Sequence, residues 1–146
     1  MNYTELTTAV EDYTENTFSA EQLALFAQQA EQRIYNSVQF PALRKNVTGS
    51  TTTSNKYLAC PTDFLAVYSL AVVDTDGAYE YLLNKDVNFI RQAYPTPTDT
   101  GLPKYYALFG PRSDNQTELS FLLGPTPDAA YTAELHYFFY PESIVT

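Results

Sequence analysis

The chain has 146 residues, a formal net charge of -9 and a hydrophobic fraction of 45%, with 13 Tyr and 9 Phe but no Trp. That length suits one domain with a real core, and the apolar content excludes global disorder. The charge excludes a protein that grips nucleic acid through clustered cations: only Arg44 and Lys45 are adjacent basic residues.

Cys60 is the only cysteine, so no internal disulfide can form, and an intracellular origin is the easier reading. His136 stands alone, without the neighbours a metal site of standard spacing needs. No apolar run reaches membrane-spanning length, and the first residues lack the basic-then-apolar plan of a signal peptide. A soluble chain with no cofactor is expected.

Asn2 with Glu5 three residues later predicts a capped first helix carrying Leu6, Ala9, Val10 and Tyr13 at helical spacing. Residues 14–17 break it. Ser19 and Gln22 predict a second capping box, with Phe18 stapled onto Leu23. The apolar stripe Leu23, Phe26, Ala27, Ala30, Ile34 and Val38 follows, and Pro41 is expected to stop the helix. So short a link makes residues 1–40 an antiparallel helical hairpin. Its acidic residues Glu5, Glu11, Asp12, Glu15, Glu21 and Glu31 precede the first Lys or Arg. Such a face meets a basic partner, lines a passage that DNA must not stick to, or is a solvated surface. Glu21 and Glu31 are the candidate channel-facing or partner-facing residues.

Residues 43–55 are polar and rich in Thr and Ser, a β-arm or extended loop. The β-rich body spans 56–140. Pro61 and Asp63 shape a turn before the apolar run 64–73, a strand covered on both faces or central in its sheet. Residues 74–77 turn a hairpin that returns with Tyr79 and Tyr81 on one face. Asn84 is expected to cap a short helix over 85–93, with Val87 and Ile90 inward. A Pro- and Thr-rich connector then leads through Gly101 and Pro103, also turn residues. Three runs, 104–109, 118–123 and 131–140, alternate with turn clusters at 110–115 and 124–128 and are expected to form an antiparallel meander. In it Leu119, Phe121 and Leu123 point in, and Glu118 and Ser120 point out. Residues 141–146 form a terminal arm, frayed or reaching a neighbour. The fold class is α+β: a helical hairpin, an antiparallel body and one short inserted helix.

Catalytic candidates are thin. Asp63, Asp74 and Asp76 sit in turn compositions, while Glu118 and Glu134 fall on outward strand positions. There is no nucleophile elbow, and Gly101, Gly110 and Gly124 punctuate turns instead of forming a phosphate loop. The chain is not expected to be an enzyme.

The order of features resembles a known family. After the hairpin and Thr-rich arm come Tyr57-Leu58-Ala59-Cys60-Pro61-Thr62-Asp63-Phe64-Leu65 and then Leu82-Leu83. Gly101-Leu102-Pro103-Lys104-Tyr105-Tyr106-Ala107 and Gly124-Pro125-Thr126-Pro127-Asp128 precede a Tyr-rich last strand. From about Glu21 to Tyr140 this is similar to the head-to-tail adaptor (neck or connector) proteins of tailed bacteriophages. Cys60 departs from the aliphatic residue usual there, a packing change. The resemblance implies a dodecameric homo-oligomer ring in the virion neck, assembled in the host cytoplasm and docked on the portal protein. The ring would extend the DNA channel, pass DNA without specific binding, and offer a surface to tail nozzle, hub or tube proteins, with no membrane contact. Arg44, Lys45, Ile144 and Val145 are the candidate portal or neighbour contacts. A tail terminator, a baseplate component and a carbohydrate-binding or hydrolysing module using the Tyr surface are the alternatives.

Overall fold

The computed structural model describes residues 1–111 and 118–145; the predicted turn residues Arg112, Ser113, Asp114 and Asn115 lie outside them. The chain divides into two compact units, Met1–Leu43 with Tyr140–Thr146, and Arg44–Phe139.

In the first unit, helix α1 (Tyr3–Thr14) begins with Asn2 Oδ1 accepting from the Glu5 amide, while Glu5 Oε2 accepts from the Asn2 amide, both at 2.9 Å. It ends at Glu15, in the left-handed region at φ 50°. Helix α2 (Ala20–Ser37) repeats the capping box with Ser19 and Gln22. Phe18 meets Phe26 edge-on, ring centroids 5.5 Å apart, and its amide donates to Glu11 Oε1. The two capping boxes together satisfy amides that helix starts otherwise leave bare. The expected stop at Pro41 comes early: α2 closes on Val38, which is extended, and Pro41–Leu43 is a 3-10 turn.

Among the described residues, the second unit holds ten strands and a helix. They are β1 (Arg44–Ser50), β2 (Tyr57–Ala59), β3 (Phe64–Val73), β4 (Tyr79–Tyr81), β5 (Leu83–Asn84), α3 (Val87–Ala93), β6 (Thr100–Gly101), β7 (Tyr105–Phe109), β8 (Ser120–Gly124), β9 (Thr126–Pro127) and β10 (Thr132–Phe139). One sheet runs β1-β10-β3-β4 and a second β2-β8-β7-β5; β6 and β9 make a small parallel pair. Leu70, Val72, Leu135 and Tyr137 from the first sheet interlock with Tyr106, Phe121 and Leu123 from the second to form the main core. Helix α3 lies on the far face of the second sheet, where Ile90 packs on Ala107 and Leu122.

The expected meander is therefore wrong. Strand β7 does pair with β8, Tyr106 opposite Leu123, but β10 belongs to the other sheet, between β1 and β3. Residues 124–128 do not simply turn: Thr126 and Pro127 pair in parallel with Thr100 and Gly101. Ser120 is buried, not outward; it shares a face of β8 with Leu122, on which α3 packs. The short helix starts at the Asp86 cap, whose Oδ1 accepts from the Asn88 amide, two residues beyond Asn84. The hairpin turn at 74–77 stands, with Gly77 at φ 85°, a conformation that costs any residue with a Cβ.

Candidate functional site

No pocket of the described residues gathers catalytic groups, and among them no cluster of His, Cys, Asp and Glu could hold a metal ion. Each acidic candidate that can be followed serves a structural partner. Asp74 Oδ1 accepts from the amides of Asp76 and Ala78, which tightens the hairpin turn. Glu134 Oε1 lies 2.6 Å from His136 Nε2 and 3.3 Å from Asn46 Nδ2. Hydrogen bonds from His136 and then the Tyr79 hydroxyl hold the Glu134 carboxyl below the ordinary carboxylate range. Cys60 is buried, and desolvation followed by the charge of Glu118 pushes its thiol up to about 12. A thiol so disposed is a poor nucleophile.

Arg44 and Lys45 part company although adjacent, because successive residues of β1 point to opposite faces. The Arg44 guanidinium lies 4.5 Å from the centroid of the exposed Tyr68 ring and 5.5 Å from that of Phe138. Lys45 Nζ donates to Asp63 Oδ2 at 2.7 Å and sits 4.0 Å from the centroid of the Phe139 ring. Asp63 Oδ1 also accepts from the Tyr137 hydroxyl at 2.8 Å. So Asp63, four residues past the end of β2 and one before β3, ties the first strand to the last. Partial burial pushes the Asp63 carboxyl up, yet the hydrogen bonds from Lys45 and Tyr137 outweigh it and leave it below its ordinary value. Tyr137 is pushed up to about 12, first by burial and then by that hydrogen bond. Pro61 caps the same turn, its carbonyl accepting from the Phe64 amide. Gly101 pairs with Pro127, and Pro103 is fully buried, so both serve packing inside the body.

Ile144 and Glu31 come together. The Ile144 amide donates to Glu31 Oε1 at 2.8 Å, and the Tyr140 hydroxyl donates to Asn36 Oδ1 at 2.9 Å. The terminal segment thus lies against α2 within its own unit, while Val145 donates to Ser143 Oγ. Glu21 stands apart in the first turn of α2. Hydrogen bonds from its backbone amide and then from Ser19 lower its pKa.

Two surfaces escaped the sequence reading. Neither α1 nor α2 contains a buried residue. Tyr3, Leu6, Val10, Leu23, Phe26 and Ala30 line an open apolar groove of about 260 Å³ between them. The second surface is the α3-bearing face of the body. There Tyr57 meets Phe109, Phe89 meets Tyr105, and Lys56 and Lys85 lie 5.5 and 5.3 Å from the centroids of the Tyr57 and Phe89 rings. The signal was present in the chain as Lys56-Tyr57 and Leu83-Asn84-Lys85, cations set beside apolar residues on strands too short to show a period.

No curated protein matches the sequence. The family described as SU10 adaptor protein matches it over residues 1–146. Together with open apolar helices, and with acidic side chains spent on turns and strand ties, that match accounts for the whole length of the chain: it belongs to the SU10 adaptor protein family, a family of phage head-to-tail adaptors.

Proposed function

We propose that the protein is a non-enzymatic component of the virion neck that forms a homo-oligomeric ring, docks on the portal and receives tail proteins on its other side. The family match over the full chain carries this reading. The open helical groove supports it physically, because helices of 12 and 18 residues with no buried side chain are marginal alone and gain stability from a partner. The net charge of -9 suits a channel wall along which a phosphate backbone slides without sticking. A head-to-tail ring requires two different patches on every subunit. DNA passes without specific contacts, and the tail-side partner is a nozzle, hub or tube protein.

The test is the native mass of the purified protein, alone and mixed with the portal of the same virus. A complex at a fixed ratio near one adaptor per portal subunit is expected. A monomer that ignores portal and instead binds tail tube protein would overturn portal docking in favour of a tail component. Within the complex, removing residues 142–146, with the candidate contacts Ile144 and Val145, is expected to weaken portal binding; unchanged binding would remove that arm from the contact. Arg44, exposed on the first strand, is the body's candidate for the same partner.

A further inference from the structure

We infer that the two uncovered surfaces cover each other between copies: the N-terminal hairpin of one subunit docks on the α3-bearing face of the next. The inference rests on the ring reading and adds which surfaces build it. On the hairpin, Ile34 is 49% and Phe26 44% exposed. Both lie on the apolar stripe of α2, and Phe26 lines the groove. On the body, Leu83 is 60% exposed and Phe89 and Phe109 are each 41% exposed. Ladder partners set these on one side of the sheet. Leu83 is opposite Tyr105, and Tyr57 is opposite Leu122, which packs under Ile90. Apolar patches of this kind, left open and rimmed by polar groups, mark interaction sites.

Charge selects the occupant. Residues 1–40 carry six carboxylates against a single side-chain cation, Arg33. Two hairpins would therefore repel each other, and a self-paired contact through them is disfavoured. The α3 face offers the opposite sign, with Lys56 and Lys85 lying on its aromatic rings and Arg91 in the last turn of α3. Asp86, the helix cap, sets one carboxylate against these three cations. Glu11 and Glu31 accept from the Phe18 and Ile144 amides and keep their negative charge on the hairpin. An acidic-rimmed apolar ridge against a basic-rimmed aromatic face is complementary, and a contact between unlike faces propagates around a ring.

The test uses the full chain with one face damaged at a time. Ile34→Glu spoils the hairpin and Leu83→Glu spoils the α3 face, each at a position open to solvent. Each variant alone is expected to stay monomeric under conditions where the wild type assembles. An equimolar mixture is expected to give a one-to-one dimer, because one intact face of each kind remains. Rings formed by either variant alone, or a mixture that stays monomeric, would overturn this contact while leaving the ring reading intact. A wild-type chain that stays monomeric with and without portal would remove both. Circular dichroism and melting check that the variants fold. As a second variant, Lys85→Glu with Arg91→Glu reverses two exposed charges and is expected to raise the concentration needed for assembly roughly tenfold; an unchanged threshold counts against the charge match.

Discussion

In the body, Phe121, Leu70, Val72 and Leu123 are sealed between two sheets, whereas in the hairpin unit neither helix buries a single side chain. The body is held by packing. The helices are held by their caps, by the edge-on contact of Phe18 with Phe26 and by the hydrogen bonds from the terminal segment. Local signals therefore suffice to start the helices, but their apolar stripe remains unspent until something covers it. A unit of that kind is suited to assembly, and a packed body is suited to be its scaffold.

The contrast breaks most sharply at Phe121. Phe121→Ala is expected to cost about 3–5 kcal/mol, read as a lower denaturation midpoint of the near-ultraviolet signal. Next comes Gly124→Ala. An added Cβ would stand 2.8 Å from Ile90 Cγ2 and 3.0 Å from the Tyr94 ring, so the body should lose about 1–3 kcal/mol through overpacking. Calorimetry measures it, and an unchanged melting point would mean that α3 shifts freely. Ser19→Ala should cost about 1 kcal/mol of helix stability. It should lower ellipticity at 222 nm while leaving the near-ultraviolet signal of the body unchanged; coupled losses would erase the distinction between the two regions.

The smallest effect belongs to Asp63. Its folded-state pKa lies below the ordinary carboxylate value of about 3.9. Its contribution is thus present above that value and lost as pH falls through the folded pKa. Asp63→Asn should remove about 1 kcal/mol or less at neutral pH and flatten the acid limb of the body's stability curve. At the other end, Tyr137 is raised to about 12, so its contribution holds below about pH 10 and fades above it. Tyr137→Phe should flatten the alkaline limb. A curve unchanged at both ends would show that this tie contributes nothing.

The helix starts were legible because a cap and its partner are three residues apart, and the chemistry of Asn2, Glu5, Ser19 and Gln22 is local. Strand partners were not. Alternation in residues 131–140 reveals which side chains face inward, but says nothing about whether β8 or β3 lies alongside. The neighbour is chosen by the core that Leu135 and Tyr137 share with Phe121 across the two sheets. The outward assignment of Ser120 failed for a related reason, since its face of β8 is packed at Leu122 by α3, a separate element, instead of meeting solvent. At the candidate site, Lys45 and Asp63 were each visible as residues worth noting. Their contact joins positions 18 apart in sequence, and nothing near either one announces the other. Tyr79 and Tyr81 share a face as their spacing implies, with rings 6.1 Å apart. Both are exposed, Tyr81 at 66%, because β4 is an edge strand of only three residues.

The chain passes from the helical unit into the body at Leu43 and Arg44 and returns at Phe139 and Tyr140. Arg44 is the ladder partner of Phe138, so the two ends of the body stand side by side, separated by about 5 Å as in any antiparallel pair. The body is thus a cassette set into the terminal unit, and its reading frame could be lifted out and closed by a short loop. Exchange of this segment would replace Arg44–Phe139, about two thirds of the chain, while the terminal helices stayed as they are.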